Sequence, residues 1–266
     1  MRARLALCVA ASIAAAGGHA GALRSEKLDF PLRGRTLTLT VYRPVAAPKG
    51  TIIMGSGDVG WVGLAASVAE ELSGAGYVVA GLNVRQYLSS FTQGTQHLVA
   101  QDVRSDYREL LALLSRQQLL RRPLIVSGVS EGAALAVLAA SDPESHSAID
   151  GVITMGLPGS AELAWRWTDV TSWITKSDAN EPSFAPNDFI AAISPVPLVM
   201  IQSKKDEYVP PAEYERFLAT ARDPKKLVLI DASNHRFTDR RPQLSAAIVD
   251  ALQWIVERGA VTGARR

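Results

Sequence analysis

A serine between two glycines is the first feature of the sequence that could do chemistry. It lies in "LIVSGVSEGAALAVLAA" (124–140), where an apolar run passes through Gly128, Ser130 and Gly132 into an alanine-rich stretch. The apolar run predicts a β-strand and the alanines predict a helix, so a sharp turn between them would expose the hydroxyl. Glycine is required on both sides because the strand and the helix approach closely there. The pattern therefore predicts that Ser130 is a nucleophile.

A serine nucleophile needs a histidine base and a carboxylate that orients this base. In a strand–helix fold of this kind, the acid precedes the histidine along the chain. Asp206 follows the apolar run "PLVMIQS" (197–203), and His235 follows "KLVLIDA" (226–232). Both side chains would lie beyond the carboxyl ends of parallel strands, where open α/β sheets have their sites. We predict that His235 is the base and that Asp206 is the orienting acid.

Two neighbouring carboxylates are alternative acids. Glu207 adjoins Asp206, and Asp231 ends the predicted strand before His235. Asp231 could instead cap the loop that carries the histidine. Asp206 is preferred because it comes just past the end of its own strand, and the choice among the three stays open at this point.

The oxyanion that forms when a serine attacks a carbonyl group needs two N–H donors. One is the backbone N–H of Glu131, the residue after the nucleophile. The other is expected from "GSGDVGW" (55–61), a glycine-rich loop after a strand, in which Gly57 or Asp58 is the candidate. This loop lacks the glycine motifs of nucleotide-binding sites. No H-E-x-x-H motif or Cys/His cluster indicates a metal, so we expect neither a metal nor an organic cofactor.

Short apolar runs alternate with longer amphipathic segments along the chain. Strands are predicted at 27–32, 36–44, 51–57, 77–83, 123–129, 151–157, 197–203 and 226–232, and helices at 61–75, 97–117, 131–141, 212–221 and 241–258. The first two strands alternate in polarity around "RGR", which is typical of an edge hairpin. The later strands are continuously apolar, as in a mostly parallel sheet covered by helices on both faces. The predicted fold class is α/β, with one domain over residues 21–266.

One segment interrupts this alternation. Residues 158–192 lie between two predicted strands and carry three of the five tryptophans. A long connection in an α/β domain is often a lid over the site, although the tryptophans could equally pack a small helical excursion. We predict that Trp165 and Trp167 of this lid-like insert bind substrate, together with Trp61 at the end of the glycine-rich loop.

The first twenty residues have the pattern of a secretory signal peptide. Arg2 and Arg4 precede an apolar run from Leu5 to Ala16, and small residues follow around Ala20. The run is shorter than the roughly 20 residues that a membrane-spanning helix needs. Cleavage of residues 1–20 would leave a periplasmic or secreted chain without a transmembrane segment and without its one cysteine.

The charge pattern argues against nucleic acid as a partner. The chain has 28 Lys and Arg residues against 26 Asp and Glu residues, and loss of the two signal-segment arginines would leave it neutral. A neutral chain without Lys/Arg blocks has no electrostatic footprint for a nucleic acid. The hydrophobic fraction of 47% and the charged fraction of 20% are those of an ordinary globular protein.

These residues together resemble the α/β-hydrolase superfamily over nearly the whole chain after the signal segment. That resemblance implies Ser130 as nucleophile, Asp206 as acid and His235 as base. A narrower resemblance is to the bacterial VirJ/AcvB virulence-protein family, and it is carried by the segments "GSGDVGW" (55–61) and "GLNVRQYLSSFTQGTQHLVAQDV" (81–103). Members of that family are periplasmic, and some are held to hydrolyse aminoacylated phosphatidylglycerol.

The chain departs from the VirJ/AcvB pattern at three places. Val59 replaces a glycine in the loop, and Glu131 stands where the family more often has an aromatic or basic residue. The segment "SNHRF" (233–237) lacks the family's glycine-rich run with two histidines. The fold and the triad are unaffected by these departures. They argue against carrying over the family's lipid substrate.

The resulting expectation is a serine hydrolase that cleaves a carboxylic ester of a small molecule or a lipid. The alternatives are a small-molecule carboxylesterase of dienelactone-hydrolase type, a peptidase, and a binding module that has lost catalysis. The complete triad favours an enzyme, and labelling by a fluorophosphonate would separate the two classes. Glu131 could attract a cationic ester such as an aminoacyl lipid, or it could simply suit a helix N-terminus.

Overall fold

The computed structural model describes residues 24–166 and 181–263. In this part of the chain, helices cover both faces of one eight-stranded mixed sheet. The strands are β1 (Arg24–Leu32), β2 (Arg35–Arg43), β3 (Gly50–Gly55), β4 (Tyr77–Leu82), β5 (Leu124–Val129), β6 (Gly151–Met155), the separate short pair β7 (Ala161–Glu162) and β8 (Ser183–Phe184), β9 (Leu198–Ser203) and β10 (Lys225–Ile230). The helices are α1 (Leu64–Gly74), α2 (Val84–Ser90), α3 (Ala100–Arg116), α4 (Glu131–Ala140), α5 (Pro211–Thr220) and α6 (Arg241–Gly263).

The strand order in the large sheet is β1-β2-β4-β3-β5-β6-β9-β10. The β1–β2 and β2–β4 pairs are antiparallel, and all the other neighbours are parallel. The carboxyl ends of the six consecutive parallel strands from β4 to β10 therefore meet along one side of the sheet. β10 is the outermost strand at the edge opposite the hairpin, and it pairs only with β9. The predicted α/β class, the edge hairpin and the eight strands are confirmed.

Two apolar layers hold the sheet between its helices. Along β3, Ile53 lies in the core cluster that includes the inner faces of α3 and α4. Its neighbours Ile52 and Met54 lie in the cluster on the other face, with α1 and α6. Every residue of β3, β5 and β9 is buried. Burial on both faces explains why these strands are continuously apolar in sequence rather than alternating.

The seven-residue helix α2 was not predicted from the sequence. It follows β4 directly, and Asn83 caps it by accepting a hydrogen bond of 3.1 Å from the N–H of Gln86. A helix of two turns is too short to show a clear apolar period, and its cap is the one local signal.

The described part of the insert 158–192 contains a short β-pair and two 3-10 helices. β7 pairs with β8 in antiparallel fashion, and short 3-10 helices follow at Pro186–Asp188 and Ile190–Ile193. Trp167 and the predicted signal segment 1–20 lie outside the described residues. Among the helices that are described, we find none with the length and apolarity to cross a membrane.

Candidate active site

Ser130 sits on a strained turn between β5 and α4. Its φ of 52° and ψ of −120° are rare for a residue with a side chain, and such a conformation costs about 1–3 kcal/mol. The turn is held by the Ser130 N–H, which donates to the carbonyl of Met155 at 3.0 Å. A Cβ on Gly128 would lie 2.1 Å from the carbonyl carbon of Gly132. A Cβ on Gly132 would lie 2.4 Å from the carbonyl of Gly55, so both flanking positions require glycine.

His235 and Asp206 meet beyond the ends of β10 and β9. The ring Nδ1 of His235 lies 2.7 Å from Oδ2 of Asp206, whose side chain has no exposed area. The other carboxylate oxygen, Oδ1, accepts hydrogen bonds from the N–H groups of Tyr208 at 2.9 Å and Val209 at 3.0 Å. With Nδ1 donating to the carboxylate, Nε2 is left as the basic nitrogen of the imidazole.

The two alternative acids have other contacts. Glu207 accepts a hydrogen bond of 2.7 Å at Oε2 from the backbone N–H of His235, so it holds the histidine's main chain and not its ring. Asp231 is exposed and lies 3.4 Å from the ammonium of Lys205. Of the three carboxylates, the structure therefore brings Asp206 to the imidazole. The loop of His235 is capped by Asp239, which accepts from the N–H of Ser233.

The histidine lies close to the serine turn. Its ring stands over Gly156, the residue after Met155, and Met155 accepts the hydrogen bond from Ser130 N–H. The Ser130 hydroxyl donates to Oε2 of Glu131 at 3.3 Å. Within the described residues it makes no hydrogen bond to His235. Rotation about one side-chain torsion of Ser130 redirects this hydroxyl, and catalytic hydrogen bonds commonly tighten only when substrate binds.

The predicted oxyanion donors surround the same turn. Glu131 is the first residue of α4, so its N–H has no acceptor within the helix. A Cβ on Gly57 would lie 3.6 Å from the Cβ of Ser130, which places the glycine-rich loop beside this serine. The Gly57 carbonyl accepts from the Gly60 N–H and the Ser56 hydroxyl. Because a trans peptide points its N–H opposite its carbonyl, the Asp58 N–H faces away from those two donors.

Three carboxyl groups lie together at Ser130. The side chain of Glu131 is near those of Asp58 and Glu162, and it accepts a hydrogen bond from the backbone of Glu162. Desolvation, reinforced by the negative charges of Asp58 and Glu162, raises the pKa of Glu131 to about 8. Burial also raises the pKa of Asp58, against the opposing effect of the nearby Arg236 and His235. Glu131 is therefore mostly neutral at pH 7.

The described tryptophans pack against the protein. Trp61 covers Gly81 of β4, where an added Cβ would lie 2.2 Å from the indole, and its Nε1 donates to the Tyr42 hydroxyl. Trp165 is 5% exposed within the core, and the guanidinium of Arg85 lies 4.2 Å from its ring centroid. Trp61 is only partly buried, and the substrate role predicted for Trp61 and Trp165 stays a prediction.

Sequence reasoning did not single out Gly156 or Glu162. Gly156 follows an apolar strand directly, and a glycine at such a place was the only available signal. Glu162 lies in β7 of the insert and contacts Glu131, and no motif or spacing in the sequence predicts this contact.

Comparisons with known proteins agree with this architecture. The 29%-identical match to the uncharacterized protein YfhR of Escherichia coli O157:H7 covers 48% of this chain and 46% of that protein. The chain thus spans about half the length of this curated relative. Est1E from Butyrivibrio proteoclasticus has a TM-score of 0.64 at 13% identity, covering 87% of this chain and 99% of that one. A putative dienelactone hydrolase from Klebsiella pneumoniae has a TM-score of 0.63 at 15% identity, covering 90% and 99%.

A family model described as bacterial virulence protein (VirJ) matches residues 50–255, which is most of the chain. The match includes the glycine-rich loop, the serine turn and the loops of Asp206 and His235. The segments that resembled this family in sequence lie within it. The chain therefore belongs to the VirJ family of bacterial virulence proteins and has the α/β-hydrolase fold.

Proposed function

We propose that this protein is a serine hydrolase that cleaves a carboxylic ester through an acyl-enzyme. The observation that carries the proposal is the 2.7 Å contact between buried Asp206 and His235, beside a serine held on a strained turn. A nucleophile, a base and an orienting acid in this relation are the parts that acyl transfer needs. Binding alone does not require a strained backbone at Ser130, so the strain favours an enzyme over a binding module.

The mechanism follows from the atoms available. Nε2 of His235 takes the hydroxyl proton as Oγ of Ser130 bonds to the ester carbonyl carbon. The oxyanion accepts hydrogen bonds from the N–H of Glu131 and from the loop of Gly57, and each such donor is worth about 3 kcal/mol. His235 then gives the proton to the departing alkoxide, which leaves as the alcohol. Water repeats the sequence on the acyl-enzyme, with Asp206 stabilising each imidazolium.

The carboxyl groups of Glu131, Asp58 and Glu162 bear on the substrate. Their oxygens can accept hydrogen bonds from the ammonium group of an aminoacyl lipid, the substrate class that the VirJ family membership suggests, and a bound cation would lower the raised pKa of Glu131 toward its usual range. The second candidate is a small-molecule carboxylesterase, supported by the fold shared with a putative dienelactone hydrolase. The reach of β7 to the nucleophile supports a lid role for the insert 158–192. We further propose that residues 1–20 direct export to the periplasm.

The test is labelling by a fluorophosphonate followed by a panel of esters. The purified protein is expected to take up one probe per chain, on the peptide that contains Ser130. Hydrolysis of p-nitrophenyl esters from acetate to palmitate then gives the acyl-chain preference, and vesicles with aminoacylated phosphatidylglycerol test the cationic lipid. Labelling at another serine, or no labelling and no turnover on any of these substrates, would refute the proposed function.

The pH dependence of turnover should report Glu131. Below pH 8 its carboxyl is neutral, and above pH 8 it becomes a carboxylate beside the developing oxyanion. Repulsion of about 1–2 kcal/mol between these charges is expected to lower kcat/KM for a neutral ester about tenfold as the pH rises through 8. Glu131→Gln should remove this decline. An unchanged alkaline limb in that variant would contradict the assignment, and Glu109→Gln on α3 is the control.

A further inference from the structure

Gly156 fixes the position of the His235 imidazole. An added Cβ at Gly156 would lie 2.7 Å from Cε1, 3.1 Å from Nδ1 and 3.2 Å from Nε2 of the ring. Carbon atoms in contact stay about 3.5–4.0 Å apart, so a side chain as small as a methyl would overlap the ring. The imidazole thus rests directly on the glycine backbone.

The backbone of Gly156 is not free to retreat from the ring. It has a φ of +61°, and its N–H donates to the carbonyl of Ile201 at 3.0 Å. The preceding residue, Met155, belongs to β6 and accepts the hydrogen bond from Ser130 N–H. One short segment therefore carries both the support for the nucleophile and the surface under the base.

The imidazole is also held from its other sides. Nδ1 is bound to Asp206 at 2.7 Å, and the backbone N–H of His235 is bound to Glu207 at 2.7 Å. The ring of Tyr208 packs edge-to-face against it, with 5.4 Å between the ring centroids. The residue is only 7% exposed. A methyl group at Gly156 would have to push the ring out of this arrangement, which changes its reach to Ser130.

We propose that Gly156 is a positioning residue for catalysis, and that its missing side chain sets the distance from His235 to Ser130. The proposal rests on the proposed function, since the consequence of the position is the reach of a base to a nucleophile. Gly156 touches no reacting atom itself. A misplacement of about 1 Å in a catalytic group can lower a rate about 100-fold.

The matched comparison is Gly156→Ala against Gly34→Ala. Gly34 has a φ of +75° in the β1–β2 turn, and a Cβ there would meet nothing within 4 Å. Gly34→Ala therefore introduces the backbone strain of a positive φ without any contact with an imidazole. We expect Gly156→Ala to lower kcat about 100-fold with KM changed less than threefold, and to move the acidic limb of the kcat/KM profile. Gly34→Ala should leave kcat within twofold. Equal kcat in wild-type and Gly156→Ala protein would overturn the proposal.

A thermal-unfolding cycle tests the same contact without turnover. In the wild-type background, Gly156→Ala should lower Tm more than Gly34→Ala does. In a His235→Ala background the methyl group no longer overlaps an imidazole, so Gly156→Ala and Gly34→Ala should lower Tm by the same amount. If Gly156→Ala lowers Tm more than Gly34→Ala by the same margin in both backgrounds, Gly156 is needed only for its backbone conformation and the proposal is wrong. If the wild-type protein hydrolyses no ester, the proposed function fails. The unfolding cycle still tests whether the His235 ring lies against Gly156.

Discussion

Ser130→Ala is expected to lower kcat for ester hydrolysis about 10⁶-fold, the size of effect that follows removal of a serine nucleophile elsewhere. Without Oγ no acyl-enzyme forms, and only the oxyanion donors and substrate binding remain. Alanine keeps the Cβ and so the backbone strain of the turn, which means that the fold should be retained. The measurement is steady-state hydrolysis of the best p-nitrophenyl ester, with circular dichroism as the folding check.

The matched control is Ser127→Ala, three residues earlier in the buried strand β5. It should retain turnover and probe labelling, because its side chain lies inside the sheet. Turnover that survives in Ser130→Ala at more than a thousandth of the wild-type rate would remove Ser130 from the mechanism.

Asp206→Asn is expected to lower kcat about 10⁴-fold. An amide in place of the carboxylate presents an N–H to the ring, which favours the tautomer with its proton on Nε2 and abolishes the base. The hydrogen bonds from Tyr208 and Val209 can still be accepted by the amide oxygen, so the loop should stay folded. Kinetics and thermal unfolding, measured side by side, separate the chemical loss from any structural one.

The alternative carboxylates provide controls for this substitution. Asp231→Asn breaks only the exposed contact with Lys205, and such pairs contribute about 0–1 kcal/mol, so its kcat should match that of the wild type. Glu207→Gln keeps an acceptor for the His235 N–H and should cost little. A larger kcat loss in either variant than in Asp206→Asn would reassign the acid.

The sequence was sufficient for the eight strands of the large sheet, because burial leaves a clear apolar run such as that of β9. It did not show β7 and β8, which have two residues each. It was less accurate at helix starts. Two helices begin three residues later than predicted, at Leu64 and Ala100, since the residues before them belong to the loops around β3 and α2. Glycine and polar residues in those loops share the composition of a first helical turn.

For the candidate site, the sequence predicted which loops come together. Ser130, Asp206 and His235 each follow an apolar run, and the ends of parallel strands meet at one side of the sheet. Which carboxylate contacts the imidazole depends on the turn after β9, in which Asp206 folds back while Glu207 reaches the histidine's main chain. Side-chain direction within a turn is set by the backbone torsions, and spacing alone does not contain it.

Aromatic residues were the least predictable part. Trp61 follows the glycine-rich loop in sequence, which suggested that it faces the substrate. Its indole instead fills the space that Gly81 leaves on the sheet. A large ring packs wherever a complementary surface exists, and that surface is 20 residues away along the chain. The substrate roles of Trp61, Trp165 and Trp167 stay predictions.

The place of β10 in the sheet has a consequence for how activity is lost. The loop of His235 begins at the outermost strand, which has one neighbour and a half-exposed face, whereas Ser130 follows a fully buried central strand. Peripheral units of a protein open at lower free energy than its centre. Separation of this flank would carry His235, the proposed base, away from Ser130 while the interior stays native. Warming should therefore abolish activity reversibly at a temperature below the global Tm, because the flank that carries His235 opens first.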